Sequence, residues 1–332
     1  MVWEGLAATI ELLIFPGIIF ILWLSLLYEW LDRKFYAKLQ NRYGPLHTGA
    51  KGCCQPFADF VKLLSKEDIT PMAVDRVLFT LTPILLLGLS LTALFYVPMV
   101  PILRNEAFAA FDGDLIYVIF LLTMIVVVKF LGAWASTNRF SAIGGMRLLF
   151  QLIGYEIPLA VALLTPALAT GSLNISKIAQ TVGSNIVLAI ALLPVLAIAI
   201  ICFQAELERV PFDIPEAEQE IVAGWLTEFS GRKLALIRLS FDVELVLAST
   251  LVAALFLGGP YSPAIPYIPV QVSYFLWFLF KATIVLLVLS NIRTLYARLR
   301  IDQMVHFAWK NLTIIGLLEI ILVEALLAGG II

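Results

Sequence analysis

The chain has 332 residues, of which 61% are hydrophobic and only 14% charged, with a mean hydropathy of +0.97 and a formal net charge of -2. That balance excludes a water-soluble globular protein, implies no nucleic-acid partner, and describes an integral membrane protein placed in the cell membrane as a multi-pass chain. The few charges that remain are therefore the informative residues.

Runs of about 20 apolar residues, each able to cross a ~30 Å hydrocarbon core as a helix, are read in chain order at 6–28, 77–99, 115–135, 151–170, 184–204, 239–258, 273–290 and 312–330. The expected fold is an all-α integral membrane protein with eight transmembrane helices, forming one polytopic domain over 1–332. Strands and closed barrels are disfavoured because the runs are continuous instead of alternating. The first run carries Glu4 where a signal peptide would have a basic stretch, and it is too long for a signal-peptide core, so it is expected to persist as a helix.

Orientation follows from the bases. Of the 22 Lys and Arg residues, 18 fall in the connections after the first, third, fifth and seventh runs, whereas the other connections hold only Arg104 and Lys177. The positive-inside rule then places both termini outside and the large connections in the cytoplasm.

The first of these connections, 29–76, holds "QPFADFVKLLSK". Phe57, Phe60, Val61 and Leu64 recur at helical spacing with Asp59, Lys62 and Lys66 on the other side, which predicts an amphipathic helix lying in the interface plane. The connection at 205–238 holds "PFDIPEAEQE", with four carboxylates and no base in ten residues. Asp213 three residues before Glu216, with Pro215 between them, predicts a capped helix start that would put Glu216 and Glu220 on one face. Glu206 and Arg209 are spaced to pair. Ionisable residues also interrupt the apolar runs: Lys129, Glu156, Asp242, Glu244 and Lys281. Each costs a few kcal/mol at mid-bilayer, which favours a functional reason for keeping it. Glu11, Glu319 and Glu324 are read as packing or interfacial residues.

Cys53 and Cys54 are adjacent, while Cys202, His47 and His306 are isolated. That leaves no iron-sulfur or zinc spacing and no nucleotide-binding glycine motif, so all five are read as packing or surface residues. Redox chemistry, if present, belongs to a partner, and no metal site is expected in this chain.

The stretch "ERVPFDIPEAEQEIVAGWLTEFSG" resembles the acidic cytoplasmic loop of the H subunit of bacterial complex I, the family that includes the mitochondrial ND-one subunit. The resemblance extends in order through "LQNRYGP", "QPFADFVKLLSKEDITP", "DRVLFTLTP", "GAWASTNRFSAIGGMRLLFQLIGYEIPL" and "RLRIDQMVHFAWKNL". It implies a membrane anchor on which a hydrophilic electron-transfer arm docks, with no catalytic redox centre of its own. Carried over by position, Glu206, Glu208, Asp213, Glu216, Glu218 and Glu220 would form an acidic funnel, with Glu156 the step beyond it and Lys129 on the same intramembrane path. Glu29, Arg33, Arg42, Asp59 and Lys62 would line a chamber or its docking face, and Arg293, Arg298 and Arg300 would hold the docked arm or lipid headgroups.

One segment departs from the family. Quinone-reactive members read close to R-x-G-P-N-R-x-G-P-x-G-L-L-Q-P, and this chain reads "RYGPLHTGAKGCCQP". With the acidic loop kept, it looks more like the membrane anchor of archaeal ferredoxin-linked membrane-bound hydrogenase or sulfane-sulfur reductase complexes. The expected partners are then a nickel-iron-hydrogenase-like large subunit, a small iron-sulfur subunit, and antiporter-like and small membrane subunits. Iron-sulfur clusters and a nickel-iron centre would lie on those partners. A quinone-reducing complex I subunit and a stand-alone secondary transporter are the alternatives, the latter weakened by the lack of an internal repeat.

Overall fold

The computed structural model describes residues 11–99, 106–263 and 266–330. Glu4, Arg104 and the start of the first apolar run lie outside them. Among the described residues the elements are all helical, and seven helices are long and apolar enough to cross a membrane.

In chain order, α1 (Ile18–Leu39) belongs to a span of 29 residues, Glu11–Leu39. A short α2 (Gln55–Ser65) follows, then α3 (Arg76–Leu94), α4 (Asp114–Ala135) and α5 (Arg139–Thr170). Next come α6 (Ile175–Ser184), α7 (Ile186–Ala191), α8 (Leu193–Glu206) and a four-residue α9 (Glu218–Ile221). The chain closes with α10 (Gly231–Phe256), α11 (Val270–Leu295), α12 (Ile301–Phe307), a π turn at Ala308–Leu312 and α13 (Thr313–Ala328).

Local chemistry sets several boundaries. The Asp75 carboxylate accepts from the Val77 and Leu78 amides at the start of α3, and the Asn138 side chain accepts from Phe140 at the start of α5. The Asn138 cap lets α5 begin 12 residues before the apolar run at 151–170, so Arg139 and Arg147 stand on a helix and not in a loop. Likewise α1 continues past the expected end at 28, carrying Glu29, Asp32 and Arg33 on helix. The run at 184–204 is divided: Asn185 caps α7, Pro194 sits in the first turn of α8, and neither piece reaches 18 residues.

At the centre stands α10, buried along most of its length and packed by α1, α2, α3 and α11, with α4 and α5 completing the bundle through α3. In contrast, α13 leaves Ile314, Leu317, Leu318 and Ile321 outward, as a lipid-facing helix does. Of the expected α2 stripe, Phe57, Val61 and Leu64 are outward, whereas Phe60 is half-buried and turns inward with Pro56 and Leu63 toward α10.

Candidate functional site

Where α1, α2, α10 and the acidic loop converge, they enclose a cavity of about 640 Å3. From α1 come Glu29 and Arg33, from α2 Asp59, from α10 Arg238, Asp242 and Glu244, and from the end of α11 and beyond Arg293 and Arg298. The acidic loop adds Glu208, Arg209, Asp213, Glu216 and Glu218. Ionisable groups thus make up most of the wall, unlike the apolar lining of typical small-molecule pockets.

On one wall, the Arg33 guanidinium donates to Glu29 and, at 2.7 Å, to Asp59, which also accepts from Gln55 at 2.8 Å. Asp242 faces Glu29 across the cavity from the α10 side. Beneath the wall, fully buried Asp32 accepts from Arg209 and Arg293 at 3.1 Å each and from the Ser290 hydroxyl. This network ties the acidic loop to α1 and α11. Expected pairing of Glu206 with Arg209 does not occur, because Arg209 is committed to Asp32 and Glu206 instead meets Tyr155.

The acidic loop is shaped by its contacts with α5. The Gln151 amide donates to the carbonyls of Ala205 and Phe212, at 2.8 and 3.0 Å. Gly224 (φ +55°) packs so closely that a Cβ there would lie 1.9 Å from the Pro215 carbonyl oxygen, and one at Gly144 would lie 2.7 Å from the Trp225 nitrogen. The expected helix from Pro215 therefore does not form. Pro215 and Glu216 are in a turn, Ala217 is non-helical, and regular helix covers only Glu218–Ile221. Glu216 and Glu220 consequently do not share a face: Glu216 lines the cavity, while Glu220 is exposed and ion-paired to Arg147 at 2.6 Å and Arg298 at 3.6 Å.

Burial acts on the loop acids. It pushes Asp213 up to about 6, against the pull of Arg298, and Glu216 up to about 8, reinforced by the neighbouring Glu208. The Arg147 hydrogen bond holds Glu220 below the usual carboxylate range.

Inward from the cavity, Lys129 of α4 reaches Glu208 at 2.7 Å and Glu244 at 2.9 Å, all three buried. The Trp225 indole donates to the second Glu208 oxygen at 3.3 Å, and the Phe241 ring lies 4.9 Å from the Lys129 ammonium. Electrostatic neighbours continue through Glu206 to Glu156, which bonds the Thr123 hydroxyl. Glu156, Glu206, Glu216 and Glu244 each keep one buried carboxyl oxygen without a hydrogen-bond partner.

Of the residues singled out in the sequence, Glu29, Arg33, Asp59, Glu208, Asp213, Glu216 and Glu218 meet at the cavity, Lys129 and Glu206 are buried beyond it, and Glu156 is half-buried on α5. Arg42 and Lys62 do not line it: both are exposed, and Arg42 stacks on Tyr36. Arg300 is exposed and contacts Asp302. Asp32 and Arg238 were not anticipated. For Asp32 the signal was present, because Ile21, Leu24, Tyr28 and Asp32 recur on one buried stripe of α1. Among the described residues, no three His, Cys, Asp or Glu side chains are grouped as a metal site.

The model of the family described as NADH dehydrogenase matches residues 11–324 of this chain. The chain belongs to this family. Among similar proteins, the H subunit of the NADH-quinone oxidoreductase of Brevibacillus brevis is 39% identical, over 88% of this chain and 85% of the relative. The H subunit of the F(420)H(2) dehydrogenase of Methanosarcina acetivorans is 35% identical, over 88% and 86%. An NADH-quinone oxidoreductase H subunit of Syntrophobacter fumaroxidans is 36% identical, over 89% of each. The H-subunit family explains the apolar bundle: the protein is a multi-pass component of the cell membrane and a membrane subunit of a complex I-like assembly.

Proposed function

We propose that this family member couples electron transfer in a docked hydrophilic arm to proton or sodium translocation. The carrying observation is the continuity of the ionisable cavity wall, through Glu208, with the buried Lys129–Glu244 pair and onward to Glu206 and Glu156. Carboxyl groups with raised proton affinity at Asp213 and Glu216 sit where a redox change in the arm alters the local field. Oxygens left without protein partners in Glu216, Glu244, Glu206 and Glu156 suit a hydrated path. Redox bias is limited to the differential interaction of the two states with these groups.

In this reading the chain is one polytopic domain, and α7 with α8 crosses the membrane as a broken eighth span. Both termini are outside, and the acidic loop and α2 face the cytoplasm. Electrons come from ferredoxin through iron-sulfur clusters of partner subunits to protons or a sulfur compound at a nickel-iron-hydrogenase-like subunit. Antiporter-like and small membrane subunits complete the complex. The charge-rich cavity and the altered "RYGPLHTGAKGCCQP" loop support this branch over a bound quinone. A second reading, the quinone-reducing subunit with the cavity as its chamber, is favoured by the name of the Brevibacillus brevis relative. Likeness to components of larger complexes favours either over a stand-alone transporter.

The test is the double variant Asp213→Asn with Glu216→Gln, measured as ions moved per electron in purified, assembled complex. Reduced translocation at normal assembly is expected. Normal translocation rejects the relay, and poor assembly with normal translocation per complex leaves the acids a docking role only. Mass spectrometry of the co-purified subunits separates the branches: a nickel-iron-type large subunit without an NADH-oxidising module fits the first, a full quinone-reductase set the second.

A further inference from the structure

Cys53 and Cys54 stand outside the proposed path, at the junction between a 3-10 turn (Ala50–Gly52) and α2. Both thiols are exposed, and their sulfurs lie 3.7 Å apart on the same side of the turn. The neighbouring backbone is held: the Cys54 amide donates to the Thr48 carbonyl, and the Cys54 carbonyl accepts from Ala58. Gly49 (φ +76°) leaves the space beside the pair, since a Cβ there would lie 2.7 Å from the Cys54 sulfur. The Thr48 hydroxyl then bonds Gln55, which bonds Asp59 on the cavity wall, so the pair sits at one end of a fixed hydrogen-bonded chain.

Two adjacent thiols have two outcomes open to them. Direct joining is disfavoured, because neighbouring Cα atoms across a trans peptide are ~3.8 Å apart, below the ~4.4–6.8 Å that disulfides span. A single bridging atom that keeps the sulfurs apart fits better, and a pyramidal trivalent centre holds two sulfurs side by side.

We propose that Cys53 and Cys54 form a vicinal dithiol site that chelates trivalent arsenic, presented as an organoarsenous acid. Each thiol replaces one hydroxide on arsenic, its proton leaving with that hydroxide as water. Arsenic stays trivalent, so no oxidant takes part. The second sulfur binds within the same molecule, which strengthens retention over a lone thiol by ~10²–10⁴.

The experiment treats membranes containing the assembled complex with phenylarsine oxide and measures the mass of the peptide holding residues 53 and 54. One arsenic per chain is expected, retained under excess mercaptoethanol and removed by dimercaptopropanol. Cys53→Ser and Cys54→Ser, each checked for assembly, are expected to lower retention about a hundredfold. Three results overturn the proposal: no label on wild-type chain, label that mercaptoethanol strips as readily as dimercaptopropanol, or a wild-type pair already joined as a disulfide. The two-reagent comparison needs only the wild-type protein, and none of these readouts depends on ion translocation.

Discussion

Lys129 of α4 and Glu208 of the acidic loop lie 79 residues apart in the chain and 2.7 Å apart in space, with Glu244 of α10 closing the group on the other side. One membrane-helix base therefore anchors both the loop and the central helix. Removing one member of a buried ion group leaves an uncompensated charge, which costs far more than the net value of the group.

Lys129→Met is accordingly expected to destabilise the protein by about 3–5 kcal/mol. Melting of the assembled complex checks it, and adding Glu208→Gln and Glu244→Gln should recover much of the loss. A triple variant no better than the single would refute the ion-group account.

Asp32→Asn removes the charge shared by Arg209 and Arg293 while keeping the side-chain shape. The expected loss is about 2–4 kcal/mol, localised to the acidic loop. Faster protease cleavage between residues 207 and 217, with the membrane helices still protected, would show it.

Glu216 holds its proton more tightly in the folded loop than at its ordinary value, about 8 against 4.5, and Asp213 does the same at about 6 against 3.8. Within those windows the folded state retains protons that the unfolded chain releases, so stability falls as pH rises. The contribution is complete below the lower value, lost through about 8 for Glu216, and flat above. Melting temperatures across about pH 4 to 9 should decline less steeply in Glu216→Gln, and an unchanged slope would remove this group from the pH response.

Glu220→Gln is expected to change little, because its partners Arg147 and Arg298 hold it at an exposed site. A loss of about 0–1 kcal/mol and unchanged translocation are predicted. Translocation falling as far as in Glu216→Gln would place Glu220 back on the path.

Gly224→Ala forces a Cβ onto the Pro215 carbonyl in a backbone region that L side chains rarely adopt. Destabilisation above about 3 kcal/mol is expected, read as failure of the acidic loop to resist proteolysis.

The sequence by itself determined the solvent, the helical class and the acids. Hydrophobic runs must satisfy their backbone internally in lipid, so length and hydropathy are enough to mark α3, α4, α10 and α11. It also marked Phe57, Val61 and Leu64 as one face of α2, because that depends only on helical spacing, while Phe60 of the same expected stripe turns to the cavity. Only the tertiary structure decided which acids share an environment. Asp32 and Arg209, or Lys129 and Glu208, are brought together by contacts between distant segments, and the loop they anchor closes Gly224 onto Pro215 against the local capping preference. For that reason "DIPEAEQE" reads as one helix but folds as a turn that sets Glu216 on the cavity wall and leaves Glu220 outside.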